Sequence, residues 1–191
     1  MTTSESNGPK GVIAEKERLR SMAASIAPTT PGESAAITST VREVVRDHDW
    51  RTVLTFLAMP GEVDLGDLRN DAALTLAVTR TPRNGPLTIH ALEEPLERHP
   101  FGYLQPRADA SPIASAGIDV VLVPGLLFAA DGGRLGHGKG YYDKLLSSFH
   151  PRPQLIGVTV DRRVVDELPM TEHDVWMNAI ATETGLLEVP R

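Results

Sequence analysis

The chain contains no cysteine. That excludes disulfides, thiolate catalysis and cysteine-ligated metals, and it leaves the redox compartment undetermined. It also has no run approaching the ~18 apolar residues that a membrane span needs, so no membrane partner is expected. Residues 1–10, Met-Thr-Thr-Ser-Glu-Ser-Asn-Gly-Pro-Lys, lack the apolar stretch of a signal peptide. They read as a disordered tail ahead of a single domain over 11–191, and a cytoplasmic location is expected. A basic excess is missing too: the formal net charge is −6. Nucleic-acid binding rests on neutralising phosphates, so it is not expected, and any anionic ligand must be captured by a local basic site. There is no internal repeat and no low-complexity segment.

What is present is concentrated in one place. Thirteen residues, Asp131-Gly-Gly-Arg-Leu-Gly-His-Gly-Lys-Gly-Tyr-Tyr-Asp143, hold five glycines, an Arg, a Lys, two tyrosines and two aspartates. Glycine inside a regular element costs roughly 0.5–1 kcal/mol relative to Ala, so this density points to unusual dihedrals or close ligand approach. Arg134, Lys139 and the exposed backbone amides are what an anion requires. The run Gly133 to Gly140 nearly matches G-x-x-x-x-G-K-[ST], but Gly140 has no hydroxyl for a metal and the strand-like run Asp119–Val123 ends too far upstream. The dinucleotide fingerprint fails as well, because Tyr141 stands where its third glycine belongs. The segment is a phosphate-holding loop of another kind, with Asp143 free for a metal.

Periodicity places the loop in an α/β chain. Val12–Ile26 reads as an amphipathic helix ended by Pro28, and Ser34–His48 as a second helix with Ser34 as N-cap after the Pro31-Gly32 break. Strand-like runs follow at 52–59, 74–78, 87–92, 118–123, 155–160 and 179–182, with helical or loop segments between them. A further helix over Lys139–Phe149 would turn its N-terminal dipole toward a phosphate. Alternation of this sort implies a layered α/β sheet.

These residues resemble the 5-formyltetrahydrofolate cyclo-ligase (methenyltetrahydrofolate synthetase) family. The resemblance rests on Pro124-Gly-Leu-Leu-Phe128 and on Gly132-x-Arg-Leu-Gly-x-Gly-Lys-Gly-Tyr-Tyr-Asp143. Lys16 with Arg20, Glu62-Val-Asp64, Pro82-Arg83, His173-Asp174 and Thr182-Glu183 fall in the family's order, so the likeness spans Lys16 to about Glu183. It implies a three-layer, Rossmann-like α/β sandwich with a central, mostly parallel sheet and helices on both faces. It also implies closure of 5-formyltetrahydrofolate to 5,10-methenyltetrahydrofolate, with ATP and Mg²⁺ as cofactors and a folate as small-molecule partner. A monomer or weak homo-oligomer is expected.

Roles follow residue by residue. Arg134, Lys139 and Tyr141 are the candidate catalytic groups. Lys16, Arg20 and the loop from Arg134 through Leu135, Gly136, His137, Gly138, Lys139, Gly140, Tyr141 and Tyr142 would hold ATP. Like charges four apart on a helix repel by about 0.2–0.5 kcal/mol, so Lys16 and Arg20 themselves suggest an anion between them. Met59 and Glu62, with His137 to Tyr141, would hold the folate. A carboxylate such as Glu62 can accept both hydrogen bonds offered by a pterin's 2-amino and N3–H edge. Asp143 and Asp174 are the candidate Mg²⁺ ligands, since Mg²⁺ takes hard oxygens, usually one or two carboxylates plus water. The chain departs from the family at Ala129 and Gln105, where acids are usual, and at Leu65; Asp131 is a possible stand-in for the first. Two other readings remain open: a noncatalytic folate- or nucleotide-binding relative, and a sugar-phosphate isomerase-like enzyme.

Overall fold

A computed structural model describes residues 9–93 and 95–190. Residues 1–8, most of the segment read as a tail, lie outside the described residues. Helix α1 runs Pro9–Ala24 and therefore starts earlier than the apolar pattern suggested. Helix α2 runs Pro31–Asp47, and here the sequence reading needs correction. Thr30, not Ser34, is the N-cap: its hydroxyl accepts from the Glu33 amide while Glu33 Oε2 accepts from the Thr30 amide at 2.8 Å, closing a capping box. Pro31-Gly32 is no break, because proline at the first helical position lacks only an N–H that would be orphaned anyway. Ser34 is buried inside the helix and accepts from the Asp64 amide at 3.1 Å.

The strands are β1 Thr52–Thr55, β2 Thr75–Arg80, β3 Thr88–Ala91, β4 Leu96–Arg98, β5 Leu104–Pro106, β6 Val120–Pro124, β7 Leu127–Ala129, β8 Arg134–Leu135, β9 Gln154–Val158, β10 Val164–Val165, β11 Ala179–Thr182 and β12 Gly185–Glu188. The main sheet has the order β12-β11-β9-β6-β1-β2-β3. Its five inner strands are parallel, and β12 and β3 close the two edges antiparallel. Two-residue periodicity divides the core. Val53, Val120, Leu122, Ile156 and Val158 face Ile37, Val41 and Val45 of α2. Leu54, Val121, Val123, Leu155 and Ile180 point the other way, onto Leu145, Leu146 and Phe149 in and beyond the short helix α3, Tyr141–Ser147. Helices on both faces of a mostly parallel sheet make this the three-layer α/β architecture expected.

A second, smaller sheet, β10-β7-β8, carries the glycine-rich segment. Phe128 of β7 packs so closely on the main sheet that a Cβ on Gly157 would lie 2.4 Å from its ring. Helix α1 covers this unit through Leu19 and Ala23, which contact Leu127 and Leu135. After β1 the chain proceeds to β2 on one side and returns as β6 on the other, leaving a switch point where the carboxyl ends of β1 and β6 diverge. In open α/β sheets ligands bind in that crevice.

Candidate functional site

A cleft of about 550 Å³ opens at this switch point. Phe56 to Met59 leave the sheet after β1, which is why that strand is shorter than its apolar run, and they form one wall. The glycine loop forms another, and α1 contributes a third. Every residue given a catalytic, ligand-binding or metal role from the sequence lines this one space: Lys16, Arg20, Met59, Glu62, the whole run Arg134–Tyr142, Asp143 and Asp174. The charges from 158 residues of chain thus converge.

The loop is held from within the protein. Arg20 donates Nε to the Gly136 carbonyl at 3.0 Å. Gly138 has φ +87°, a conformation that side-chain-bearing residues rarely adopt, and a Cβ there would sit 3.1 Å from the Arg20 guanidinium carbon and press on it. Gly140, at φ +64°, caps α3. That helix has only seven residues and begins at Tyr141, later than expected, so the backbone amides and side chains of the loop carry the electrostatics rather than a helix dipole.

Arg134 is the least exposed of the cations, with a side chain only 4% accessible. Its Nη2 donates to Asp143 Oδ1 at 2.8 Å, its Nη1 to the Pro124 carbonyl at 3.4 Å, and its guanidinium lies 5.7 Å from the centre of the Tyr142 ring. Its Nε is buried and has no hydrogen-bond partner among the described residues. Asp143 is thus first of all the counter-ion of a buried cation, a role that the sequence reading, which gave it to a metal, did not anticipate. Burial pushes the Tyr142 hydroxyl well above the usual phenol range, so that ring is a neutral wall at physiological pH. Lys139 differs: it is exposed and has no ion-pair partner among the described residues.

Across the cleft Lys16 Nζ meets Asp174 Oδ2 at 2.5 Å. The same oxygen accepts from the amide and hydroxyl of Thr171 at 2.6 and 2.9 Å. Burial pushes the Asp174 carboxyl up, but these hydrogen bonds outweigh it and hold it below the ordinary aspartate value. Glu62 uses Oε2 to accept from the Met59 amide at 2.9 Å, which fixes its carboxylate, and turns Oε1 toward His137 Nε2 at 3.5 Å.

Asp143 Oδ2 and Asp174 Oδ1 accept no hydrogen bond among the described residues. Two hard, uncommitted oxygens at one cleft fit Mg²⁺, which binds through one or two carboxylates together with substrate phosphates and water. No cluster of three or more metal-type side chains occurs among the described residues, so the protein alone offers no complete cage.

The far end of the cleft was not read from the sequence. The β4–β5 hairpin brings Phe101, Tyr103 and Leu104 to it, with Thr79 and Thr81 from β2 and its end. Behind them Arg80 Nη2 donates to Glu97 Oε1 at 2.9 Å, and Gln105 Nε2 donates to the same oxygen at 2.9 Å. Gln105 Oε1 accepts from the Thr81 amide at 3.2 Å, and Tyr103 donates to Thr81 Oγ1 at 2.8 Å. Gln105, noted only as a departure, is a buried hub of this network. Ala129 is fully buried in β7, while Asp131 accepts from the Gly133 amide at 3.0 Å and shapes the β7–β8 turn; Asp131 is not one of the cleft residues. Three-residue strands give too little alternation for a sequence reading to find the hairpin.

Fold and site together define an α/β protein with a cleft lined by cations and carboxylates at the carboxyl ends of parallel strands. The 5-formyltetrahydrofolate cyclo-ligase family matches residues 13–183, and the chain belongs to that family. It is 35% identical over 129 residues to the 5-formyltetrahydrofolate cyclo-ligase of Mycolicibacterium smegmatis, covering 67% of this chain but 63% of that relative's length. To the Escherichia coli K12 enzyme of the same description it is 29% identical over 171 residues, covering 82% of this chain and 89% of the other. The NMR structure of Aquifex aeolicus 5,10-methenyltetrahydrofolate synthetase superposes with a TM-score of 0.75 at 22% identity, over 94% of this chain and 93% of that one, a likeness of fold. No helix among the described residues is long and apolar enough to cross a membrane.

Proposed function

We propose that this protein closes 5-formyltetrahydrofolate to 5,10-methenyltetrahydrofolate, converting ATP to ADP and phosphate with Mg²⁺. The observation that carries this reading is the meeting, in one cleft, of Lys16, Arg20 and Lys139 with the fixed carboxylate of Glu62, all within the stretch the family matches. An N-formyl group is an amide and a poor electrophile. Its oxygen attacks the terminal phosphorus of ATP and ADP leaves. N10 then attacks the activated carbon, the C–O bond breaks to release phosphate, and the N10 proton departs to leave the methenyl cation.

Phosphoryl transfer is accelerated chiefly by positioning and charge neutralisation. Lys139 supplies an unpaired cation for the transferred group, and Lys16 and Arg20 supply the flanking charge. Arg134, paired to Asp143, sets the loop beneath them. Mg²⁺, when bound, neutralises phosphate oxygens; Asp143 Oδ2 and Asp174 Oδ1 would hold it. Glu62 Oε1 accepts from the pterin edge, with Oε2 kept in place by the Met59 amide. Met59 and Tyr141 flank the ring. The test is absorbance at the methenyl-folate band after mixing protein, 5-formyltetrahydrofolate, ATP and Mg²⁺, with each component omitted in turn. A rise that needs all four is expected. A rise without ATP would point to an isomerase-like activity, and none at all, with ligand still bound, to a binding relative.

A further inference from the structure

The carboxyl end of α1 is closed by residues far from it in sequence. The last turn of this helix carries no basic residue of its own, although the final carbonyls of any helix need donors and favour a cation. Arg163, in the short 3-10 helix Asp161–Arg163 after β9, supplies both. Its Nη1 donates to the Ala23 carbonyl at 3.4 Å and to the Leu126 carbonyl at 3.1 Å, and its Nη2 to the Ile26 carbonyl at 3.4 Å. Neighbouring Arg162 donates to the Ala27 and Pro28 carbonyls at 3.2 and 2.9 Å and pairs with Glu33 at the start of α2.

These contacts close a circuit through the cleft wall. From Arg163 the path runs to the Leu126 carbonyl, and the Leu126 amide donates to the Leu135 carbonyl at 2.8 Å. The adjoining Gly136 carbonyl accepts from Arg20. Arg20 lies one helical turn before Ala23, where the circuit returns to Arg163. Lys16 lies one further turn along the same rigid rod, about 10 Å from Ala23 at 1.5 Å per residue. We infer that Arg163 is a positioning residue, clamping α1 to the β6–β7 turn so that Lys16 and Arg20 are held in register with the glycine-rich loop. A planar guanidinium suits this: it spans three carbonyls from two segments at once, which a lysine ammonium cannot do equally well.

The inference rests on the ligase reading of the cleft. It is tested by steady-state kinetics and amide hydrogen exchange on Arg163→Ala, with Arg163→Lys as second variant should the first fail to fold. Expected are faster exchange over residues 19–27, a rise of about 10-fold in the KM for ATP, the scale of one weakened charge-assisted hydrogen bond, and a largely unchanged KM for the folate. Added methylguanidinium should restore part of the loss, and the Lys variant should fall between. Unchanged exchange over 19–27, equal rises in both KM values, or a fall in kcat alone would overturn it. Should the wild type bind MgATP without turnover, weaker MgATP binding by Arg163→Ala in calorimetry would support the clamp while the ligase reading fell. Wild type that does not bind MgATP would overturn both.

Discussion

The two ends of the cleft handle charge differently. At the α1 and glycine-loop end the cations outnumber their partners: Arg134 is paired with Asp143 and Lys16 with Asp174, but Lys139 is exposed and has no ion-pair partner among the described residues. At the hairpin end Arg80 is matched to Glu97, Gln105 donates to the same carboxylate oxygen, and the Ala108 amide donates to the other. One end keeps unspent positive charge for an anion; the other is neutral, lined by Phe101, Tyr103 and Leu104, and suited to a ring. The difference teaches that the pairs are not equivalent. Some cations here are bound into ion pairs, while Lys139 stands exposed in the cleft.

The largest effect should come from removing the partner of the buried scaffold cation. Asp143→Ala leaves Arg134 uncompensated in the interior, and breaking a buried pair costs about 3–5 kcal/mol. Thermal melting should show the loss, together with loss of turnover. Lys139→Ala should separate the two properties. With no partner to orphan, it should shift the melting temperature by no more than about 2 °C, while kcat falls by about 100-fold or more, as when one preorganised donor is removed from a developing charge. Equal stability losses in these two variants would erase the distinction between scaffold and free cation.

At the other end Gln105→Leu removes a donor to Glu97 and an acceptor for the Thr81 amide, and should cost about 1–3 kcal/mol in denaturant melts. Its effect on the KM for ATP should be small. The smallest expected effect is that of pH. The Asp174 carboxyl has its folded pKa lowered, so it binds its proton less readily in the folded than in the unfolded chain. Its stabilisation is therefore present above the ordinary aspartate value and lost as pH falls toward the lowered one. Melting curves of wild type and Asp174→Asn should differ near neutrality and converge on acidification through that range.

Much of the charged end was legible because its residues are unusual types at tight spacing. Arg134 to Asp143 stands out in any sequence, and Lys16 with Arg20 follows from helical geometry. Strands β1, β2, β3, β6, β9 and β11 were visible as β-branched runs, though Phe56 to Met59 proved to be cleft wall because the chain leaves the sheet where the strands diverge. Pro31-Gly32 resembles punctuation in the sequence, but proline is compatible with a first helical turn, so α2 starts there and Thr30 caps it. Nothing local could show that Asp143 answers a buried guanidinium, that Gln105 links Glu97 to a Thr81 amide 24 positions away, or that Arg163 ends a helix 140 positions away. Those are tertiary hydrogen bonds between residues that are ordinary in their own segments.

The central claim is that the formyl oxygen is activated by phosphorylation, and the most direct measurement follows that atom. With ¹⁸O in the formyl group of 5-formyltetrahydrofolate and unlabelled MgATP, one ADP should form for each methenyl product and the label should appear in the released phosphate. Methenyl product without ADP, or ADP accompanied by unlabelled phosphate, would contradict it.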